Sequence, residues 1–135
     1  MAPLTPTAPS IQSYSLFGES VHLPDVMHCE TIAERSVLHD WELAPHRHAR
    51  LHQVLLVAYG SGGAVLDGRG SDLVAMSVVN VPIGTIHSFS FTPGTEGWVV
   101  TLAAEMMEAA LGEAEDVRQV LKRPGCFVAD AALRG

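Results

Sequence analysis

The chain has 135 residues, 47% of them hydrophobic, and a net charge of -7 from 15 acidic and 8 basic side chains. That length suits one domain with a core that buries roughly two-thirds of the unfolded surface, and a scattered, minority set of cations excludes a chain that grips a phosphate backbone by itself. Two cysteines, Cys29 and Cys126, are too few for a disulfide framework, the longest apolar run, "VLLVAY", is far short of the roughly 20 residues of a bilayer span, and no secretory signal opens the chain, so a soluble, cytoplasmic protein is expected.

Residues 1–10, "MAPLTPTAPS", carry three prolines and no periodicity, which predicts a disordered leader. "IQSYSLFGE" (11–19) alternates as a strand does, and "VMHCETIAE" (26–34) is a second strand candidate. "RSVLHD" reads as a turn or short helical piece leading to "WEL" (41–43). "HQVLLVAYG" is apolar on both faces, as a buried strand is. "GSGG" turns the chain into "AVLDG", and "RGSD" is expected to turn it again into "LVAMSVV". "NVPIGT", "IHSFSF", "TPGTEG" and "WVVTLA" complete the series. Short strands between Gly, Pro, Asp and Ser clusters, at intervals of about ten residues, predict an all-β sandwich or barrel. In "IHSFSF", alternation places His87 on the same face as Phe89 and Phe91, which points it inward.

After Ala103 the composition changes to Ala, Glu, Met and Leu, the strong helix formers. Gly112 is expected to divide two short helices, with Pro124 and Gly125 ending the second. "CFVAD" is a candidate last strand. Met106, Met107, Ala110 and Leu111 form an apolar helical stripe, which suits either intramolecular core or a dimer face.

The chemistry concentrates in "APHRHARLHQVLL". His46 and His48 are two apart, so on a strand they share a face. His87 arrives on a later strand that should face the same interior. Two imidazoles from one strand and one from a partner can converge on an ion, and imidazole suits Zn, Ni, Cu and Fe. The alternative is a metal-free pocket in which the same rings bond a ligand directly. His52 reads as a strand-leading residue rather than a ligand, and His22, His28 and His39 as surface or satisfied core residues. Arg47 should face solvent, and Arg50 is the cation considered for a ligand carboxylate.

"PHRHARLHQVLLVAYG" followed by "VPIGTIH" resembles the two cupin motifs. Counting six residues back from Gly60 reaches Gln53, which stands where the cupin glutamate ligand would be. The second motif, PxGxxH, is matched by Pro82, Gly84 and His87. Phe91 takes the place of its downstream Asn, and Met76 that of its upstream Gly. Together with "IQSYSLFGE", "ETIAERS" and "TEGWVVTLA", these stretches resemble the amino-terminal sensor half of AraC-type transcriptional regulators, in the PobR-like subgroup that responds to 4-hydroxybenzoate. The resemblance implies a cupin (double-stranded β-helix, or jelly-roll) barrel over 11–103, followed by two short α-helices. Residues 104–135 would then be a helical dimerisation segment and the start of a linker. A carboxy-terminal helix-turn-helix half, absent from this chain, would contact DNA.

Two functions follow as expectations. In the first, the chain is an effector-sensing and dimerisation domain that binds a small aromatic carboxylic acid inside the barrel. His46, His48, His87 and Gln53 would hold one divalent Zn, Ni or Fe ion. Phe89 and Phe91 would lie against the acid's ring beside the histidines. Met106, Met107, Ala110 and Leu111 would form the homodimer interface. In the second, the chain is a stand-alone metal cupin enzyme of dioxygenase or isomerase type. Such chemistry usually needs a carboxylate or another general base beside the metal. The identifiable barrel-facing set contains no Asp or Glu, so no catalytic residue is assigned and the sensor is favoured.

Overall fold

The computed structural model describes residues 12–14 and 27–129. The expected leader, His22, the remainder of the 11–19 candidate strand and residues 130–135 lie outside them. The described strands are β1 (Gln12–Tyr14), β2 (Met27–Thr31), β3 (Glu42–His48), β4 (Leu51–Tyr59), β5 (Gly62–Leu66), β6 (Arg69–Leu73), β7 (Ser77–Val81), β8 (His87–Phe91), β9 (Glu96–Ala103) and β10 (Gly125–Val128). The helices are α1 (Ile32–Ser36), α2 (Ala104–Leu111) and α3 (Glu115–Leu121), with a 3-10 turn over Val37–His39 after α1.

The strands form two five-stranded sheets, in the orders β1-β3-β8-β5-β6 and β10-β7-β4-β9-β2. Every pairing is antiparallel except β1 with β3. Consecutive strands alternate between the sheets except at β5–β6 and β9–β10, and β4 sits at the centre of the second one. This is a cupin-type barrel, mainly β, with short helices after the last long strand. It matches the fold expected from the sequence. The chain then returns from the helices to the barrel. Residues 125–128 pair with β7, so the segment after Ala103 is not wholly helical.

The strands β4, β7, β8 and β9 each bury at least one face. The inward rows bring Leu55, Val57, Val79 and Val99 from one sheet against Ala64, Leu66, Phe89 and Phe91 from the other, with Leu73 and Ile32 closing the ends of the cluster. Phe89 and Phe91 stack, centroids 5.7 Å apart. Burial of such side chains, about 1.5–3 kcal/mol each, supplies most of the favourable free energy.

Two turns differ from the sequence reading. The hairpin between β5 and β6 turns at Asp67 (φ 46°) and Gly68 (φ 85°), an Asp-Gly pair of the kind that favours positive φ at both central positions. "RGSD" is therefore the exposed edge strand β6, not the turn. The second difference is Met76, which takes φ 72° where the cupin motif carries glycine. A side chain in that left-handed region costs on the order of 1–2 kcal/mol. At Gly60 (φ 106°) the motif glycine is kept, because an added Cβ would lie 2.8 Å from the Thr95 backbone.

Candidate metal and ligand site

Proline shapes the first part of the site. Pro45 has no N–H to give to a ladder, and the β3–β8 register slips there: Leu43 opposes Phe89, but His46 opposes His87. Three steps along β3 match two along β8, so one extra residue is inserted as a bulge. Leu43 and His46, which plain alternation would place on opposite faces, both end up inside. His48 follows His46 by two and joins it. His87 is set by the turn before it. Thr85 N–H donates to the Pro82 carbonyl at 3.1 Å, and Gly84 N–H donates to the His48 carbonyl at 2.9 Å. The PxGxxH turn is thus docked on the strand that carries the other two rings.

The three imidazoles converge. Their nearest ring nitrogens all lie within 4.8 Å of one another. Ring centroids are 4.2 Å apart for His46 and His87, 5.1 Å for His46 and His48, and 5.4 Å for His48 and His87. His46 Nδ1 donates to the Ala44 carbonyl at 2.7 Å, and His87 Nδ1 donates to the Thr85 carbonyl at 2.8 Å. A carbonyl only accepts, so both rings carry their proton on Nδ1 and present Nε2 as a lone pair. A backbone carbonyl behind the ring is the usual orientation of a metal-bound histidine. His87 is 1% exposed, and its Nε2 is buried without a hydrogen-bond partner among the described residues. Burial, and next the His46 ring, hold the His87 pKa down at about 3 against the opposing bond to Thr85. Burial also lowers His46, against its bond to Ala44 and assisted by the Arg35 charge. The Nε2 acceptors of His46 and His87, the latter without a partner among the described residues, with the His48 ring beside them, fit a divalent ion.

The rings stand on the wall of a cavity of about 240 Å³. Leu43, Leu55, Val81, Val99 and Phe89 supply its apolar surface. Gln53 also lines it; its side-chain amide donates to Thr101 Oγ1 across the β4–β9 pair at 3.0 Å. Phe91 does not reach it, because Phe91 lies deeper in the core beneath Phe89.

His52 points to the opposite face of β4, is buried, and shares a 2.6 Å hydrogen bond with Asn80 Oδ1; burial lowers its pKa against that bond. Asn80 Nδ2 in turn donates to the Leu121 and Arg123 carbonyls, pinning the end of α3 to the sheet. Arg47 is exposed. Arg50 is outside the cavity, paired with Glu105 at the start of α2. Met106, Met107 and Leu111 are half-buried and Ala110 is exposed.

Sequence reasoning missed two residues on the cavity wall, Arg35 and His39. It also missed an inward carboxylate. Glu30 pairs with Val99 in the β2–β9 ladder and shares its inward face, so the barrel-facing set does contain an acid. Glu30 is 8% exposed and bound to Arg35. The available signal was "TIAE": Thr31 and Glu34 form a capping box that starts a helix there and swings Arg35 back over the strand.

No protein-family profile matches the chain, and no curated protein matches it. Among solved structures, it is similar to the polyketide cyclase RemF from Streptomyces resistomycificus, at 29% identity and TM-score 0.38 over 47% of this chain and 46% of that one. It is similar to a cupin protein from Bacteroides fragilis at 16% identity and TM-score 0.39, over 64% and 83% of the two chains. A third similarity is to the oxalate decarboxylase of Bacillus subtilis with Mn(II) centres, at 16% identity and TM-score 0.39, over 66% of this chain and 30% of that one. The chain thus spans less than half of the cyclase and less than a third of the decarboxylase. The cupin assignment rests on the strand order and on the motif residues in place.

Proposed function

We propose that this domain is a small-molecule sensor of AraC type. It holds a divalent metal at His46, His48 and His87 and receives a small aromatic carboxylic acid in the adjoining cavity. The observation that carries the reading is the pair of tied-back Nδ1 protons, which leave Nε2 of His46 and His87 as acceptors in a three-histidine cluster whose nearest ring nitrogens lie within 4.8 Å, beside an apolar chamber. A bound divalent ion supplies positive charge and open coordination positions there. Gln53 is neutral where the cupin motif has glutamate. Three imidazoles and Gln53 therefore leave the ion's charge for the ligand to balance. Phe89, on the cavity wall, is the surface for the acid's ring. No Asp or Glu lines the cavity among the described residues, which suits binding without turnover.

The sensor reading includes homodimerisation through α2, whose Met106, Met107, Ala110 and Leu111 face was predicted from the sequence, and DNA contact by a further domain. Calorimetry with 4-hydroxybenzoate before and after chelation tests the metal-assisted version. Affinity lost with EDTA and regained on adding zinc or nickel supports it. Chelator-insensitive binding at the same histidines favours the metal-free pocket.

A second reading, a metal-dependent cupin enzyme, is favoured by one observation: Glu30 is a buried carboxylate on an inward face. Its engagement by Arg35 counts against a role as general base. Sustained product formation from a panel of aromatic acids with iron would establish the enzyme.

A further inference from the structure

The two sheets differ on their outer faces. An antiparallel sheet that packs on one side usually shows polar side chains to water on the other. The first sheet follows this rule. Ser88 and Ser90 point outward between the buried residues of β8. Ser90 opposes Glu42 and Gly63, and Gly63 opposes Asp72. The second sheet does not follow it. Phe127 opposes Val78, Val78 opposes Leu56, and Leu56 opposes Trp98. Residues directly opposed in a sheet share a face, so these four form one row across four strands. Their chain neighbours Leu55, Val57, Val79 and Val99 fill the core, so alternation turns the row outward. In the next row Val54 opposes Val100, and Val100 opposes Cys29; in the one after, Leu102 opposes Met27.

This apolar face meets solvent. Trp98 is 46% exposed, Phe127 53% and Met27 68%. The end of α3 covers the face beside His52, where Asn80 binds the Leu121 and Arg123 carbonyls, and leaves Trp98 and Phe127 open. Among the described residues, Glu96 at the margin is the sole Asp, Glu, Lys or Arg on the face.

Size and charge point to the occupant. With strands about 4.8 Å apart and same-face residues about 6.8 Å apart, the face measures on the order of 400 Å². Exposed apolar patches above a few hundred Å² mark interaction sites. A stable interface takes about 800 Å² per partner, and a second apolar surface adjoins this one. β9 runs from Leu102 through Ala103 straight into α2, which carries the Met106 and Met107 stripe. The chain's net charge is -7, so two copies repel one another over most of their surface. They meet at least cost where neither carries charge. Aromatic residues and Met are also the types enriched where proteins associate. The relief suits a copy as well. Phe127 and Trp98 stand on either side of the smaller Val78 and Leu56, a trough between two ridges that a two-fold axis can interlock with itself.

We propose that the outer face of the second sheet is a dimer interface. Two copies of this chain pack there sheet on sheet, with Trp98 of each seated in the Val78–Leu56 trough of the other. The contact extends the one proposed for α2, and it does not depend on what the cavity binds.

Sedimentation velocity of the whole chain over a wide concentration range tests this. The wild type should sediment as a dimer. Trp98→Glu and Phe127→Glu should each raise the dimer dissociation constant roughly a hundredfold or more, because each copy would bury an unpaired carboxylate. Trp98→Phe keeps the ridge apolar and should retain the dimer. Val65→Glu places the same charge on the outer face of the first sheet, where Val65 opposes Ser88, and should leave the dimer intact. Zinc affinity and circular dichroism should match the wild type in every variant, which separates dissociation from misfolding. A monomeric wild type would overturn the proposal, including one that binds phosphatidylcholine vesicles through Trp98 instead. So would a dimer that survives both Trp98→Glu and Phe127→Glu; dissolution by Met107→Glu alone would then assign it to the helices. Dissolution by Trp98→Glu in a protein that binds no zinc would leave this interface standing while the metal reading falls.

Discussion

The two ends of the barrel share strands β4 and β8 and do opposite work. At one end, Val57, Val79, Leu73 and Phe91 fill the space between the sheets with apolar side chains. At the other, β4 and β8 again, now with β3, turn in His46, His48, Gln53 and His87 around a cavity. β8 shows the change within five residues, from His87 through Phe89 to Phe91. The packed end gains free energy for every methylene it buries. The histidine end loses some, because it desolvates imidazoles and leaves the Nε2 of His87 without a partner among the described residues. A strand can carry both because its inward positions are independent of one another once the sheets are held. The lesson is that the binding end is supported by the packed end and contributes little to the support.

Substitutions at the two ends should therefore separate stability from binding. Phe91→Ala is expected to destabilise by ~3–5 kcal/mol, read by denaturant unfolding, with zinc affinity of the folded fraction retained. His87→Ala should abolish zinc binding and cost far less stability. Comparable losses of stability from both would erase the distinction.

The next effect is that of pH on chelator-treated protein. His87 is held near 3 in the folded state, below the ordinary 6.5. Above 6.5 both folded and unfolded rings are neutral and nothing is lost. As pH falls from 6.5 toward 3 the unfolded chain takes up a proton that the folded one refuses, so stability drops, on the order of a few kcal/mol in total. His46, shifted in the same direction, adds to it. Thermal melts at stepped pH measure this, and a flat profile from 6.5 to 4 would contradict it.

Smaller effects sharpen the comparison. Gln53→Glu places a carboxylate where the cupin motif has one, and should tighten zinc binding roughly tenfold, about 1.4 kcal/mol, while weakening the binding of an acid. Competition against a chelator reads the first and calorimetry the second. Met107→Glu or Leu111→Glu tests the α2 face, outside both ends of the barrel: light scattering should show monomers, with zinc affinity unchanged. A wild type that is monomeric at high concentration would remove the dimer from the account. Met76→Gly should stabilise by ~1 kcal/mol, because it relieves the left-handed backbone at the start of β7.

Much of this was legible in the chain. Alternation and turn spacing gave the barrel, and PxGxxH after HxH gave the three histidines. The bulge was not legible, although Pro45 inside a strand hints at one. It is the bulge that brings Leu43 to the same side as His46. Glu30 and Arg35 were missed for a different reason. They lie five apart, a spacing that matches neither a strand nor a helix face, and they meet because the chain changes from β2 to α1 between them. Periodicity describes one element at a time, so a contact made across the junction of two elements leaves no periodic trace. Phe91 was placed on the correct face, but depth along the barrel axis is not written in alternation.

The central claim is that three histidines at the open end hold a metal ion. Isothermal titration of zinc into chelator-treated protein at neutral pH tests it most directly, with wild type and His46→Ala/His87→Ala run side by side. We expect one ion per wild-type chain and no saturable binding in the double variant, with both proteins folded by circular dichroism. Equal zinc binding by the two proteins, or none by the wild type, would contradict the account.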